Sequence, residues 1–229
     1  MNEQFFQERY PEGYPKTVNV NEFSCITEIF DGFVKKYAEL PAFTCLGQTM
    51  TYAQLDEKSA AFASFLQNET SLQAGDRIAV QLPNVLQYPV VVFGAMRAGI
   101  IVVNTNPLYT EREMEHQFND SGAKALVVLA NFGDKVERVV PKTGIKHVIV
   151  TNVGDMHCPL KRTLINTVLK YVKKEVPAAN IPGAIPLRKA LSKGKGKPYT
   201  SAPATSEDIA VLQYTGGTTG VAKGAMLTH

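Results

Sequence analysis

The sequence predicts an α/β protein built on a doubly wound, mostly parallel open sheet with flanking helices. Three observations carry that expectation. Five short runs, Arg77–Leu82, Ile100–Val103, Ala125–Leu129, His147–Thr151 and Ile209–Tyr214, are rich in Val, Ile and Leu with few polar breaks. Strands covered on both faces of a parallel sheet read this way. Helical patterns lie between the runs, and the alternation of strand and helix favours right-handed crossovers.

The elements follow in chain order. Ala42–Leu46 and Thr49–Tyr52 flank Gly47-Gln48, a two-residue hairpin signal. Thr51 is placed to cap a helix over Tyr52–Asn68. After Arg77–Leu82, a Pro83-Asn84 turn leads into a buried helix over Val85–Ala98, with Asn84 as its cap and Gly99 at its C′ end. This reading also accounts for Ile78–Met96, a charge-free run of 19 residues close to the length of a membrane span. Gln81, Pro83, Asn84, Gln87 and Pro89 interrupt that run. Thr110 and Glu113 have capping-box spacing ahead of a helix that ends near Gly122. Phe132–Val140 predicts a further short helix. Ile181–Ala204, with its prolines, glycines and Lys193-Gly194-Lys195-Gly196-Lys197, reads as a long loop or linker. Ala225–Leu227 reads as one more short strand. The expected division is a first α/β subdomain over 1–203 and the start of the next part over 204–229.

Composition bounds the class. The 229 residues are 45% hydrophobic and 20% charged, which excludes a disordered or collagen-like chain. Cys25, Cys45 and Cys158 stand at unrelated spacings. They suggest neither a disulfide framework nor a zinc site, and point to reduced thiols in the cytoplasm. The start of the chain, with no apolar core behind a positive charge, does not read as a secretory signal.

A net charge of +3 conceals an asymmetry. Between Met156 and Thr200 lie ten basic residues against Glu175 alone, a local charge of +9. The rest holds 14 basic and 20 acidic residues, or −6. Leu160, Leu164, Ile165, Val168, Leu169, Val172 and Val176 share one half of a helix in this belt, and Arg162, Lys170, Lys173 and Lys174 take most of the other. The favoured reading packs the apolar half on the sheet and leaves the basic half in water. The sharper reading lays the helix on an anionic membrane surface, at the inner face of the membrane. No recognition motif accompanies the charge, so nucleic acid is not an expected partner.

The sharpest signal is a strand running into Thr215-Gly216-Gly217-Thr218-Thr219-Gly220-Val221-Ala222-Lys223-Gly224. Glycines let backbone approach a ligand closely, successive N–H groups form an anion nest, and the threonine hydroxyls and Lys223 add donors and a charge. The set suits a polyphosphate. It is not a Walker A loop, because Gly224 and not Ser or Thr follows Lys223. Composition alone is also compatible with a plain hairpin turn. Among the histidines, His116, His147 and His157 read as structural, while His229 is placed to orient the loop. Asn104, Asn106 and Tyr109 fall where strand ends face a crevice.

The order Tyr214-Thr215-Gly216-Gly217-Thr218-Thr219-Gly220, then Lys223-Gly224, resembles the phosphate-binding motif of the adenylate-forming superfamily of acyl-CoA synthetases, luciferases and peptide-synthetase adenylation domains. Ala222 departs from the proline that most members carry. Val221–His229 looks like the bacterial long-chain fatty-acid–CoA ligase branch. Leu46–Leu55, Gly75–Asn84 and Ala95–Thr110 resemble the upstream elements of the same family, so the likeness spans roughly residues 20–229, with gaps in the basic belt.

The resemblance implies the N-terminal part of the adenylate-forming large domain. It also implies a two-step reaction: a carboxylate joins ATP as an acyl-adenylate with release of pyrophosphate, then passes to the thiol of coenzyme A. By resemblance, Thr215 and Lys223 take part in catalysis. Tyr214, Thr215, Gly216, Gly217, Thr218, Thr219, Gly220, Lys223 and Gly224 bind the nucleotide, with Mg²⁺ bridging its phosphates. No metal-ligating side chain is assigned. The implied partners are ATP, a long-chain fatty acid and coenzyme A. Members continue for several hundred residues through an acyl pocket, an adenine-binding stretch, a hinge acid and a small C-terminal domain. The chain is therefore expected to be an N-terminal fragment, inactive alone. Two rivals remain: a ligase for another carboxylic acid, such as an aryl or short-chain acid, and a free-standing nucleotide- or membrane-binding module. Chain-length preference and oligomeric state are not set by these residues.

Overall fold

The computed structural model describes residues 9–14, 17, 19, 22–215 and 222–229. Helix α1 (Ile26–Lys36) precedes a two-stranded antiparallel sheet of β1 (Pro41–Cys45) and β2 (Gln48–Thr51). Then come α2 (Tyr52–Glu69), β3 (Arg77–Gln81), α3 (Gln87–Arg97), β4 (Ile101–Asn104), α4 (Glu111–Ser121) and β5 (Ala125–Leu129). The chain continues through α5 (Gly133–Val139), β6 (His147–Thr151), α6 (Pro159–Thr167), β7 (Ile185–Pro186), α7 (Leu187–Gly194), β8 (Ile209–Thr215) and β9 (Lys223–Thr228).

Seven strands form one sheet in the order β7-β6-β5-β3-β4-β8-β9. Pairing is parallel throughout except between β8 and β9. Strand β3 sits centrally because its crossover runs one way to β4, and the next crosses back over it to β5. Side chains of alternate parity reach opposite faces. Ile78, Val80, Val102 and Val127 meet Phe62, Phe65, Met96, Leu187 and Ala190 of α2, α3 and α7. Ala79, Val103, Leu126 and Val128 meet Met114, Phe118, Val136 and Val139 of α4 and α5. Full burial of each large apolar side chain contributes about 1.5–3 kcal/mol, so both layers are held by many such increments. The sheet is thus doubly wound, as the sequence predicts.

Local signals set the helix ends. Thr51 with Gln54, and Thr110 with Glu113, form complete capping boxes that satisfy the first free N–H groups of α2 and α4. Gly99 takes φ +76° just past α3, a conformation that a side chain would strain. Arg97, at the end of α3, has a buried guanidinium. Its Nη2 reaches Asp31 of α1 at 2.7 Å and Asp56 of α2 at 2.5 Å, and its plane lies 4.7 Å over the Phe30 ring. One side chain therefore ties three helices together.

Four expectations need correction. The hairpin turn is Leu46-Gly47, not Gly47-Gln48: both residues have positive φ, the primed-turn geometry that matches strand twist. Asn84 does not cap α3, which begins three residues later at Gln87. The intervening bend buries Val85 and Leu86, and the Gln87 side chain turns inward to donate to the Asn152 carbonyl at 2.7 Å. Ile181–Ala204 is not all loop, for it holds β7 and α7. Leu187, Ala190 and Leu191 have i, i+3, i+4 spacing, and Leu187 and Ala190 are fully buried. Lys193 and Lys197 share Glu69 of α2 at 2.7 and 2.8 Å, and Lys195 meets Glu57 at 2.8 Å. Part of the basic belt thereby neutralises an acidic helix. Last, the apolar half of the 160–176 helix does not pack on the sheet. Helix α6 and the wide turn Val168–Val172 that extends it bury no residue. Among the described residues, no helix is long and apolar enough to cross a membrane.

Candidate functional site

A cleft of about 940 Å³ opens beyond the carboxyl ends of β3, β4 and β8. Crevices at this end of a doubly wound sheet receive ligands because the strand tips leave side chains and backbone groups facing outward. Leu82, Asn84 and Tyr88 form one wall, Asn104 and Asn106 the floor, Arg112 and His116 of α4 the other wall, and Gln213 and Tyr214 the end nearest the hairpin. The sequence places Asn104, Asn106 and Tyr109 at such a crevice, and all three line it.

A chain of hydrogen bonds crosses the floor. The Tyr88 hydroxyl donates to Asn104 Oδ1 at 2.8 Å, and Asn104 Nδ2 donates to Gln213 Oε1 at 2.9 Å. Burial raises the Tyr88 hydroxyl above the usual tyrosine range, against the opposing effect of its Asn104 bond. Gln117 Nε2 donates to the Asn104 carbonyl at 2.8 Å, while its Oε1 is buried without a partner. Sequence reasoning missed Tyr88, Gln117 and Gln213. The usable signal was position: each falls near a strand tip, on β8 or in the first turns of a helix that follows one.

The β8–β9 hairpin stands at the mouth. Tyr214 is paired with Gly224 and Thr215 with Lys223, so the two arms bracket residues 216–221. Gly216, Gly217, Thr218, Thr219 and Gly220 lie outside the described residues. Thr215 and Lys223 are exposed at the open end of the hairpin, opposite one another. Gly224 is required by its partner, because a Cβ there would lie 2.8 Å from Cε2 of the Tyr214 ring. The Tyr214 hydroxyl donates to Asp120 Oδ2 at 2.5 Å. Burial first, and then the Asp120 carboxylate, push that hydroxyl well above the usual tyrosine range. His116 Nε2 lies 3.2 Å from the Ala222 carbonyl. Helix α4 thus holds the hairpin at two points, Asp120 and His116, both beside the glycine-rich segment.

The arms of the glycine-rich segment match a known pattern over most of the chain: residues 30–229 match the AMP-binding enzyme family. The chain belongs to that family. It is 51% identical over 221 residues to a long-chain-fatty-acid–CoA ligase of Escherichia coli O157:H7, which covers 96% of this chain and 39% of the relative. It is also 51% identical over 227 residues to a long-chain-fatty-acid–CoA ligase of Haemophilus influenzae, covering 99% of this chain and 40% of that protein. The chain therefore spans about two-fifths of the length of the curated relatives it matches. Among solved structures, an anthranilate CoA ligase in complex with anthranoyl-AMP superposes with a TM-score of 0.72 at 19% identity, over 89% of this chain and 34% of that one. That likeness concerns the fold.

The histidines of this AMP-binding family member divide differently from expectation. His229 sits at the far end of the hairpin from the glycine-rich segment, where its Nδ1 accepts from the Ile26 N–H at 3.3 Å. It fastens the last strand to α1; the loop that it was expected to orient lies outside the described residues. His116, read as structural, is the one that touches the loop's return arm. His147 lies 3.0 Å from the Ser71 hydroxyl, and His157 is buried with neither ring nitrogen partnered among the described residues.

Proposed function

We propose that this chain forms the amino-terminal portion of an ATP-dependent long-chain fatty-acid–CoA ligase and supplies its triphosphate-binding hairpin. Three features support the reading: identity of 51% to two long-chain-fatty-acid–CoA ligases, the Thr215–Lys223 pair at the hairpin's open end, and the cleft beneath it. The fold does not choose the acid, since an anthranilate ligase shares it; the high identity favours a long acyl chain over an aryl acid.

In this reading Tyr214, Thr215, Gly216, Gly217, Thr218, Thr219, Gly220, Lys223 and Gly224 hold ATP. Thr215 offers a hydroxyl, and Lys223 offers three N–H donors and a full charge at a point that faces solvent. Their task is to hold the triphosphate still and to offset charge on the departing pyrophosphate. Mg²⁺ would be carried on phosphate oxygens, the usual mode for this ion; among the described residues no cluster of His, Cys, Asp or Glu is arranged to hold a metal. Coenzyme A and the fatty acid complete the substrate set. The cytoplasm is the proposed location, and residue 203 the proposed boundary between the first subdomain and the next part.

Lys223→Ala in the complete ligase should lower fatty-acid-dependent ATP–pyrophosphate exchange by about 100-fold, the usual effect of removing one charge-stabilising donor. Unchanged exchange overturns the assignment. Residues 1–229 alone should yield no acyl-CoA, and thioester formation by them would overturn the division of labour proposed.

A further inference from the structure

The glycine-rich segment has an outgoing and a return arm, and helix α4 touches both. On the outgoing arm, the Tyr214 hydroxyl donates to Asp120 Oδ2 at 2.5 Å. On the return arm, His116 Nε2 lies 3.2 Å from the Ala222 carbonyl. A carbonyl oxygen only accepts, so Nε2 carries the proton of that bond. His116 and Asp120 are four residues apart, so one face of the helix makes both contacts. The helix itself is firmly set. Met114 and Phe118 are fully buried against the sheet. Gln117 Nε2 donates to the Asn104 carbonyl at 2.8 Å, and the Thr110–Glu113 box closes the first turn.

Strand alternation decides what these contacts leave free. Tyr214 and Gly224 are paired, and both lie on the α4 side, where the Tyr214 ring covers Gly224 and reaches Asp120. Thr215 and Lys223, the adjacent residues on the two arms, are paired as well and face the opposite side. Gln213 shares that side, where its amide meets Asn104. Helix α4 therefore supports the hairpin from behind, and the Thr215 hydroxyl and Lys223 ammonium stay open to a ligand. Ala222 supplies no ring to fix the φ of the return arm, and glycines fill much of the segment between the arms. Order in such a segment has to come from its attachments.

We propose that His116 and Asp120 are positioning residues for the ATP half-reaction, fixing the two ends of the glycine-rich segment so that Thr215 and Lys223 stand at the spacing a triphosphate needs. This inference rests on the ligase reading above. Each side chain acts through the arm that it holds, and neither is required as a contact to the nucleotide. Two anchors on one rigid helix fix a separation; anchors on two elements would let it vary as those elements move. Donors that are already set lose little freedom on binding. Loss of an anchor therefore falls on ATP and spares the fatty acid.

The test is the kinetics of fatty-acid-dependent ATP–pyrophosphate exchange in the complete ligase. His116→Ala and Asp120→Ala should each raise the KM for ATP by about 3–10-fold, the usual effect of one lost hydrogen bond, with the KM for fatty acid unchanged. His116→Gln should recover most of the loss, because its amide nitrogen can donate in place of Nε2. Asp120→Asn should do the same, because its amide oxygen still accepts. Asp120 is exposed and His116 half-buried, so thermal unfolding should stay close to that of the parent. Tyr214→Phe removes the outgoing contact without altering α4 and should give the same rise. In that background Asp120→Ala should add nothing, since the hydroxyl that it held is gone. An unchanged KM for ATP in both alanine variants, while Lys223→Ala still depresses exchange, overturns this proposal and leaves the ligase reading standing. Unchanged exchange in Lys223→Ala overturns both. Equal rises in the KM for ATP and for fatty acid also overturn the proposal, because a general loosening of the fold would move the two together. So does a full further effect of Asp120→Ala in the Tyr214→Phe background.

Discussion

Gly224→Ala isolates the contact that shapes the hairpin. The new Cβ would stand 2.8 Å from Cε2, 3.0 Å from Cζ and 3.3 Å from Cδ2 of Tyr214. Carbon atoms pack best at about 3.5–4.0 Å, so the ring must retreat by roughly 0.7 Å. It has little freedom to do so: the ring is buried, and its hydroxyl is bound to Asp120 at 2.5 Å. Overpacking of this kind costs about 1–3 kcal/mol. Replacing glycine also narrows the unfolded ensemble, which returns about 0.4–1 kcal/mol. A net loss of about 1–2 kcal/mol is expected, read as a lower urea midpoint at unchanged slope. In a Tyr214→Ala background the ring is gone, and Gly224→Ala should cost nothing. An equal loss in both backgrounds would refute the reasoning, because the clash would not be the cause.

Arg97→Ala should destabilise the chain by about 2–3 kcal/mol in the same urea assay. That is less than for a fully buried ion pair, because Asp31 and Asp56 are partly exposed and regain water; Arg97→Lys should not restore stability, since one ammonium cannot reproduce the guanidinium's contacts. Thr110→Ala should cost about 1 kcal/mol by opening the capping box of α4, with amide exchange rising first at the start of that helix. Glu69 is held down to about 2 by hydrogen bonds from Lys193 and then Lys197. Its folded value lies below its ordinary one, so its contribution is full above about pH 4.5 and fades as pH falls toward 2. An NMR titration of the Glu69 carboxyl should show this, and Lys193→Met with Lys197→Met should return it to the ordinary range.

The core of the fold was legible because buried parallel strands write themselves as unbroken Val, Ile and Leu runs. Ala125–Leu129 and His147–Thr151 were placed to the residue. The capping box of Thr110 and Glu113 was equally clear, since it needs only two residues at fixed spacing, and Thr51 was placed as the cap of α2 without its Gln54 partner. Helix α7 was hidden for a physical reason: it is short, it carries the lysines and the glycine that also mark linkers, and only Leu187, Ala190, Leu191 and the close-packed Gly194 hold it to the body. The exposed apolar stripe of α6 was equally hidden. Periodicity reports that one face is apolar, but not whether anything covers it. At the site, the strand-tip asparagines were visible, whereas Tyr88, His116 and Gln213 belong to it through contacts between segments 16 to 109 residues apart.

The sheet order sets a timetable for synthesis. Strand β4 ends at Asn104, and its neighbour β8 begins only at Ile209. Ribosomes add about 5–20 residues per second, so the free edge of β4 waits on the order of 5–20 s for its partner. During that interval β3, β5 and β6 can already assemble beside it, with one row of backbone N–H and C=O groups open to any passing strand. The nascent chain is most exposed to misassembly in that window. A chaperone that shields the β4 edge until residue 215 has emerged would protect the very strand whose tip floors the cleft.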